Sequence, residues 1–184
     1  MRSTEVSGAE AVIFGAGNVH AIRATLDAYV RERLGSGLAE VLFRAGRVDS
    51  VWAVRLEDQR EVAVKAHRTP VDMSARRATD EAQQILSLAG FPCPTPIVTT
   101  SVFRGLILTS ESLMTAGTSG DARDPAIRRS LAKGLADQIR ILRGVPGLVA
   151  FAGPGPAWCR YQQGPWPVPH DSIFDFRWTP HEYR

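Results

Sequence analysis

Lys65 stands in an otherwise apolar run, Val62-Ala63-Val64-Lys65-Ala66. If that run is a β-strand, side chains alternate between its faces, so Ala63, Lys65 and His67 share one face and Val62, Val64 and Ala66 the other. An ammonium fixed in an apolar strand needs a partner or a purpose; the plainer alternative is a stem that snorkels to water at a sheet edge. A candidate partner follows in a helical segment, about Ser74 to Ala89, whose apolar stripe is Ala78, Ala82, Ile85, Leu86 and Ala89. Glu81 precedes Ile85 and Leu88 by four and seven residues, which puts it at the edge of that stripe. A carboxylate pressed toward a core is costly unless a cation meets it. Asp80 is the runner-up, on the polar face with Arg76, Arg77 and Gln84, and Arg77 offers Glu81 a local partner instead.

The elements that must position these groups are legible around them. Three β-type runs occur at Val41–Arg44, Val51–Leu56 and Val62–His67, separated by a turn at Gly46 to Ser50 and by Glu57-Asp58-Gln59-Arg60. Connections this short join neighbouring antiparallel strands. Ahead of them, Val19 to Leu34 is amphipathic through Ile22, Leu26, Tyr29 and Val30, and Gly35 stops it. After the helix, Gly90 and Pro92 give the usual exit. Ile97–Phe103 and Leu106–Thr109 form a fourth and fifth strand joined through Arg104-Gly105. A Gly-, Ser- and Thr-rich linker from Thr115 leads to Asp124-Pro125, an N-cap and first-turn proline opening a helix with Ile127, Leu131, Leu135, Ile139 and Leu142 on one face.

Val62-Ala63-Val64-Lys65 resembles the lysine strand of protein kinases, and the whole stretch is similar to the aminoglycoside phosphotransferase and choline kinase-like family. Gly90-Phe91-Pro92-Cys93-Pro94 resembles that family's Gly-x-Pro-x-Pro link, and Leu106 to Met114 its hinge. The resemblance implies an α+β fold: a kinase-like small lobe of five antiparallel strands plus one helix, with the start of a helical large lobe. It implies that Lys65 reaches the α/β-phosphates of ATP, that Glu81 pairs with Lys65, and that Ala63 roofs the adenine. Gly46, Ser50 and Val51 would cover the nucleotide, Thr109 would guard the back of the pocket, and the main-chain groups of Ser110 and Ser112 would face the adenine edge. The implied domains are residues 1–38, an N-terminal segment and helix; 39–114, the small lobe; and 115–184, linker, first large-lobe helix and tail.

Composition sets outer bounds. The chain has 184 residues, 44% hydrophobic and 22% charged, with a net charge of +3 and scattered arginines. That balance is ordinary for a globular protein and argues against a nucleic-acid partner. Its two cysteines, Cys93 and Cys159, exclude a disulfide scaffold and argue against zinc. The N-terminus lacks the apolar core of a signal peptide, and no run approaches a membrane span of ~20 residues, so the expected compartment is the cytoplasm. Ala11 to Phe14 followed by Gly15-Ala16-Gly17 imitates a dinucleotide-binding turn. However, His20 stands where the third glycine belongs and no parallel strand follows, so a surface turn is the better reading and a Rossmann-type oxidoreductase is disfavoured.

Phosphoryl transfer requires an acid to orient the acceptor and side chains to hold Mg. The family's His-Gly-Asp segment, with an asparagine five residues later and a second aspartate, is absent; His170-Asp171 and Asp175-Phe176-Arg177 lack the spacing. His170, Asp171, Asp175 and His181 have no register that would converge them on a metal. The tail from Phe151 holds half the prolines and three of the four tryptophans, suggesting association or packing on further protein. The expectation is the N-terminal part of an ATP-dependent kinase acting on a small hydroxylated substrate, with ATP and Mg used in a full-length form. A fragment and a truncated gene both fit. The alternative is a non-catalytic nucleotide-binding or interaction module.

Overall fold

The computed structural model describes residues 5–15, 17–117 and 120–149. Two helices, α1 (Gly8–Phe14) and α2 (Val19–Leu34), precede three strands, β1 (Leu38–Ala45), β2 (Ser50–Leu56) and β3 (Glu61–His67). Helix α3 (Met73–Leu88) carries the chain to β4 (Pro96–Phe103) and β5 (Leu106–Ser112), and α4 (Pro125–Leu142) and α5 (Pro146–Val149) follow. The five strands form one sheet in the order β1-β2-β3-β5-β4, antiparallel at every pairing. The fold is thus α+β, with the helix inserted after the third strand, as the resemblance implied. The sheet contains no parallel pair, and a Rossmann arrangement needs parallel strands.

Register explains where the core lies. Trp52 is opposite Val64 and Val54 opposite Val62, and Ala66 is opposite Leu108. These residues therefore line a single face. Helix α2 lays Ile22, Leu26, Tyr29 and Val30 on that face, all essentially inaccessible to solvent. Ile22, Leu26 and Val30 each contribute about 1.5–3 kcal/mol by leaving water. Tyr29 meets Phe103 edge-on, with ring centroids 5.5 Å apart. The helix starts where the Asn18 side chain accepts the Ala21 amide and stops at Gly35, whose φ is +72°.

Helix α1 corrects the reading of Ala11 to Phe14 as part of a surface turn. Ser7 and Glu10 form a reciprocal capping box, so residues 8–14 are helical. Glu10 is buried and accepts from both Nε and Nη2 of Arg44, at 3.0 and 2.6 Å, and from Trp52 Nε1 at 2.9 Å. The spacing Ser-x-x-Glu was present in the sequence but was overshadowed by the glycines after it.

The described residues up to Val145 form one compact unit, and α5 belongs to a second. Helix α4 begins as expected, with the Asp124 carboxylate accepting the Ala126 amide at 2.7 Å ahead of Pro125. Its stripe of Leu131, Leu135 and Ile139 is exposed. The readings made for His170, Asp171, Asp175, His181 and the aromatic tail lie outside the described residues. Among the described residues no helix is long and apolar enough to cross a membrane.

Candidate functional site

Opposite the core lies the face that carries the lysine. Val51 sits across from Lys65, and Ala53 across from Ala63; on the other side Thr109 faces Lys65 and Glu111 faces Ala63. Val51, Ala63, Lys65, His67, Thr109 and Glu111 therefore share one side of three adjacent strands. Lys65 Nζ lies 2.6 Å from Glu111 Oε1, the diagonal cross-strand neighbour. Glu111 Oε2 accepts from Gln83 Nε2 at 2.8 Å, and the same amide reaches the Pro94 carbonyl at 2.9 Å. The Glu111 side chain is only 8% exposed, that of Lys65 34%. The cation thus keeps a path to solvent and ligand while its carboxylate is held from behind.

This replaces the expected Lys65–Glu81 pair. Glu81 is exposed, and the reason is how α3 is turned. The residues that α3 offers to the sheet are polar and recur at helical spacing: Arg76, Asp80, Gln83 and Ser87. Arg76 Nη2 meets His67 Nε2 at 3.0 Å, Asp80 accepts the Thr100 amide at 2.7 Å, and Ser87 bonds Thr95 at 3.0 Å. The apolar stripe Ala78, Ala82 and Leu86 is buried on another side, and Leu88, used to aim Glu81 inward, is 82% exposed. Asp80, the runner-up, does turn inward, but toward β4. The carboxylate that meets Lys65 was missed because Glu111 sits within the fifth strand, beyond its expected end at Thr109. Extending the alternation Thr109-Ser110-Glu111 by one step would have found it.

Two further expectations are corrected by the same register. Ser50 is buried on the core face, where its Oγ accepts from Trp52 Nε1 at 3.1 Å, so its side chain cannot cover a ligand on the Lys65 side. Ser110 and Ser112 lie within a central strand flanked by β3 and β4. The Ser112 amide is committed to the Thr95 carbonyl at 2.9 Å, and the Leu113 amide to that of Glu61 at 3.2 Å. The amides of Ser112 and Leu113 are therefore not available to a base, and the next one along the chain is that of Met114.

The turn between β1 and β2 closes over the end of this face. Gly46 has φ +110°, and a Cβ there would collide with the Asp49 carbonyl oxygen, so no other residue fits without rebuilding the turn. Asp49 is the anchor: its carboxylate accepts the Arg68 amide at 3.0 Å and lies 2.7 Å from His67 Nδ1. Burial alone would raise the Asp49 carboxyl, but the Arg68 amide, the His67 ring and the Arg76 charge hold it below its ordinary value. His67 is pushed down chiefly by burial, assisted by Arg76 and Lys65 and opposed by Asp49. Cys93 is raised by burial and by the Glu111 charge, which makes it a poor nucleophile.

Among the described residues no cluster of three His, Cys, Asp or Glu could hold a metal. A groove of about 720 Å³ lies elsewhere, lined by Val6, Glu10, His20, Arg23, Phe43 and Arg44 among others. Its buried acid is already saturated by Ser7, Arg44 and Trp52, so the Lys65 face is the better site on chemical grounds.

No known family pattern matches the chain, and no curated protein matches it. Among solved structures it is similar to one described as a "putative fructosamine-3-kinase" from Thermobifida fusca, at 16% identity and a TM-score of 0.36. The match covers 52% of this chain and 33% of that one. Similarity at that level leaves the fold argument on the strand order and helix insertion described above.

Proposed function

We propose that residues 39–114 are the nucleotide-binding small lobe of an ATP-dependent small-molecule kinase, similar to the aminoglycoside phosphotransferases, that transfers a γ-phosphoryl group to a hydroxyl. The observation that carries this reading is the Lys65–Glu111 ion pair, on the sheet face shared by Val51, Ala63 and Thr109 and capped by the Gly46 turn. A fixed, partly exposed ammonium braced by a buried carboxylate suits polyphosphate oxygens. Val51 and Ala63 would contact the base, and Thr109 would limit the depth of its pocket. The described residues fit the phosphates but not a resident metal. Magnesium would enter with ATP, as the counter-charge to its phosphates.

The 184 residues contain no His-x-Asp segment to orient an acceptor. The chain alone should therefore bind MgATP and transfer nothing, which is also what a non-catalytic nucleotide-binding module would do. Calorimetric titration with MgATP should show one site, weakened about tenfold or more in Lys65→Met, since each tenfold corresponds to ~1.4 kcal/mol of lost interaction. Absence of binding, or equal binding by the variant, would remove the reading. Steady phosphorylation of an aminoglycoside, choline-like or sugar-like acceptor would overturn the assignment of the missing parts.

A further inference from the structure

Three elements meet at one buried imidazole. His67, on β3 and only 4% exposed, touches Asp49 from the β1–β2 turn at 2.7 Å through Nδ1. Through Nε2 it touches Arg76 of α3 at 3.0 Å and Thr109 of β5 at 3.1 Å. An ionised carboxylate can only accept, so the ring proton lies on Nδ1 and donates to Asp49. Nε2 then carries the lone pair that receives the Arg76 guanidinium and the Thr109 hydroxyl.

We propose that His67 is a positioning residue that couples the turn over the candidate nucleotide site to α3: neutral, it joins Asp49 to Arg76; protonated, it keeps Asp49 and releases Arg76. A second ring proton has only Nε2 to occupy, and that nitrogen faces a guanidinium. Two cations would then stand about 3 Å apart with no acceptor between them, a repulsive arrangement in a half-buried site. Thr109 can rotate its hydroxyl to accept the new proton; Arg76 cannot. Apart from His67, the attraction that holds Arg76 is to the Asp49 charge, and its Nε is buried without an acceptor among the described residues. The other charged groups on this face are Lys65, neutralised by Glu111, and Asp49, which is satisfied by His67 and the Arg68 amide in either state. The rest of α3 stays in place through Asp80, Gln83 and Ser87, so the release is confined to its first turns.

The sign follows from the lowered basicity of His67. The folded state favours the neutral ring, so the Arg76 tie is complete above the ordinary imidazole value of ~6.5 and is lost as pH falls through the lower folded value. Nuclear magnetic resonance on the 184-residue chain, titrated from neutral to mildly acidic pH, tests this without nucleotide. The His67 ring should titrate in one step below the ordinary value. Across that step the protection of the Arg76 Nε–H, its exchange rate taken relative to the intrinsic rate at the same pH, should fall at least about fivefold, the lower end of typical site-to-site coupling. The Arg68 amide, held by Asp49, should stay protected. His67→Gln should abolish the step, and Arg76→Ala should raise the titration point of His67. An Arg76 signal indifferent to pH, or an unchanged step in His67→Gln, would overturn the proposal. The link to ligand rests on the ATP reading and fails separately: MgATP affinity should fall across the same step, whereas a chain that binds no MgATP would sink that reading and leave the Arg76 result to stand by itself.

Discussion

Lys65→Met should destabilise the fold by about 2–3 kcal/mol, clearly more than Glu111→Gln. The two halves of the ion pair are unequal. Removing Lys65 strands a carboxylate that is 8% exposed and retains Gln83 as its remaining donor. Removing the charge of Glu111 leaves an ammonium that is 34% exposed and can turn to water, and glutamine still accepts from Gln83. The effect falls short of the 3–5 kcal/mol cost of breaking a fully buried pair because one partner is partly solvated. Urea unfolding of both variants measures the difference. Equal losses, or a larger loss in Glu111→Gln, would show that the carboxylate is less enclosed than its contacts indicate.

Trp52→Ala should cost about 3–5 kcal/mol, the usual range for deleting a large buried aromatic. Against a typical domain stability of about 5–15 kcal/mol that is a large share. Trp52 is 1% exposed and acts on both sides of the fold's first half. Its ring fills the core beneath α2, Arg44 stacks 5.1 Å from its centroid, and its Nε1 donates to Glu10. Burial alone would raise the Glu10 carboxyl, but Arg44 and Ser7 hold it below its ordinary value, so it stays charged near neutrality and needs every donor. The substitution therefore opens a cavity and also weakens the seat of α1. Trp52→Phe restores most of the volume without the donor and should lose distinctly less. A loss below ~1 kcal/mol for the alanine variant would contradict the placement of this residue.

Much of the architecture was legible because local signals agreed. The periodicity of Ile22, Leu26, Tyr29 and Val30, with Gly35 behind it, gave the limits of α2 as they stand in the structure. Alternation in Val62 to His67 placed Lys65 and Val64 on the correct opposite faces. The site was less legible. Sequence logic turned the apolar side of α3 toward the sheet, yet Arg76, Asp80, Gln83 and Ser87 face it, each paired with a polar group there. A polar seam satisfied by hydrogen bonds looks like a solvent face in one dimension, because its partners on β3, ahead of and within β4, and on β5 lie outside the helix, from eight to 28 residues away. The same limitation hid Glu111: its relation to Lys65 arises from the pairing of β3 with β5, which skips over β4 and α3. Ser50 was misplaced for a simpler reason. Small hydroxyl residues are at home on either face of a strand, and only register decides between them.

On the proposed function, the Lys65 face of the sheet receives nucleotide phosphates. Amide and methyl chemical-shift mapping of the 184-residue chain titrated with MgATP tests it most directly. The largest changes are expected at Gly46, Val51, Ala63, Lys65, Thr109 and Glu111, with Tyr29, Val62 and Val64 on the core face little affected. Changes centred instead on His20, Phe43 and Arg44 at the groove beside α1, or no saturable change at all, would contradict it.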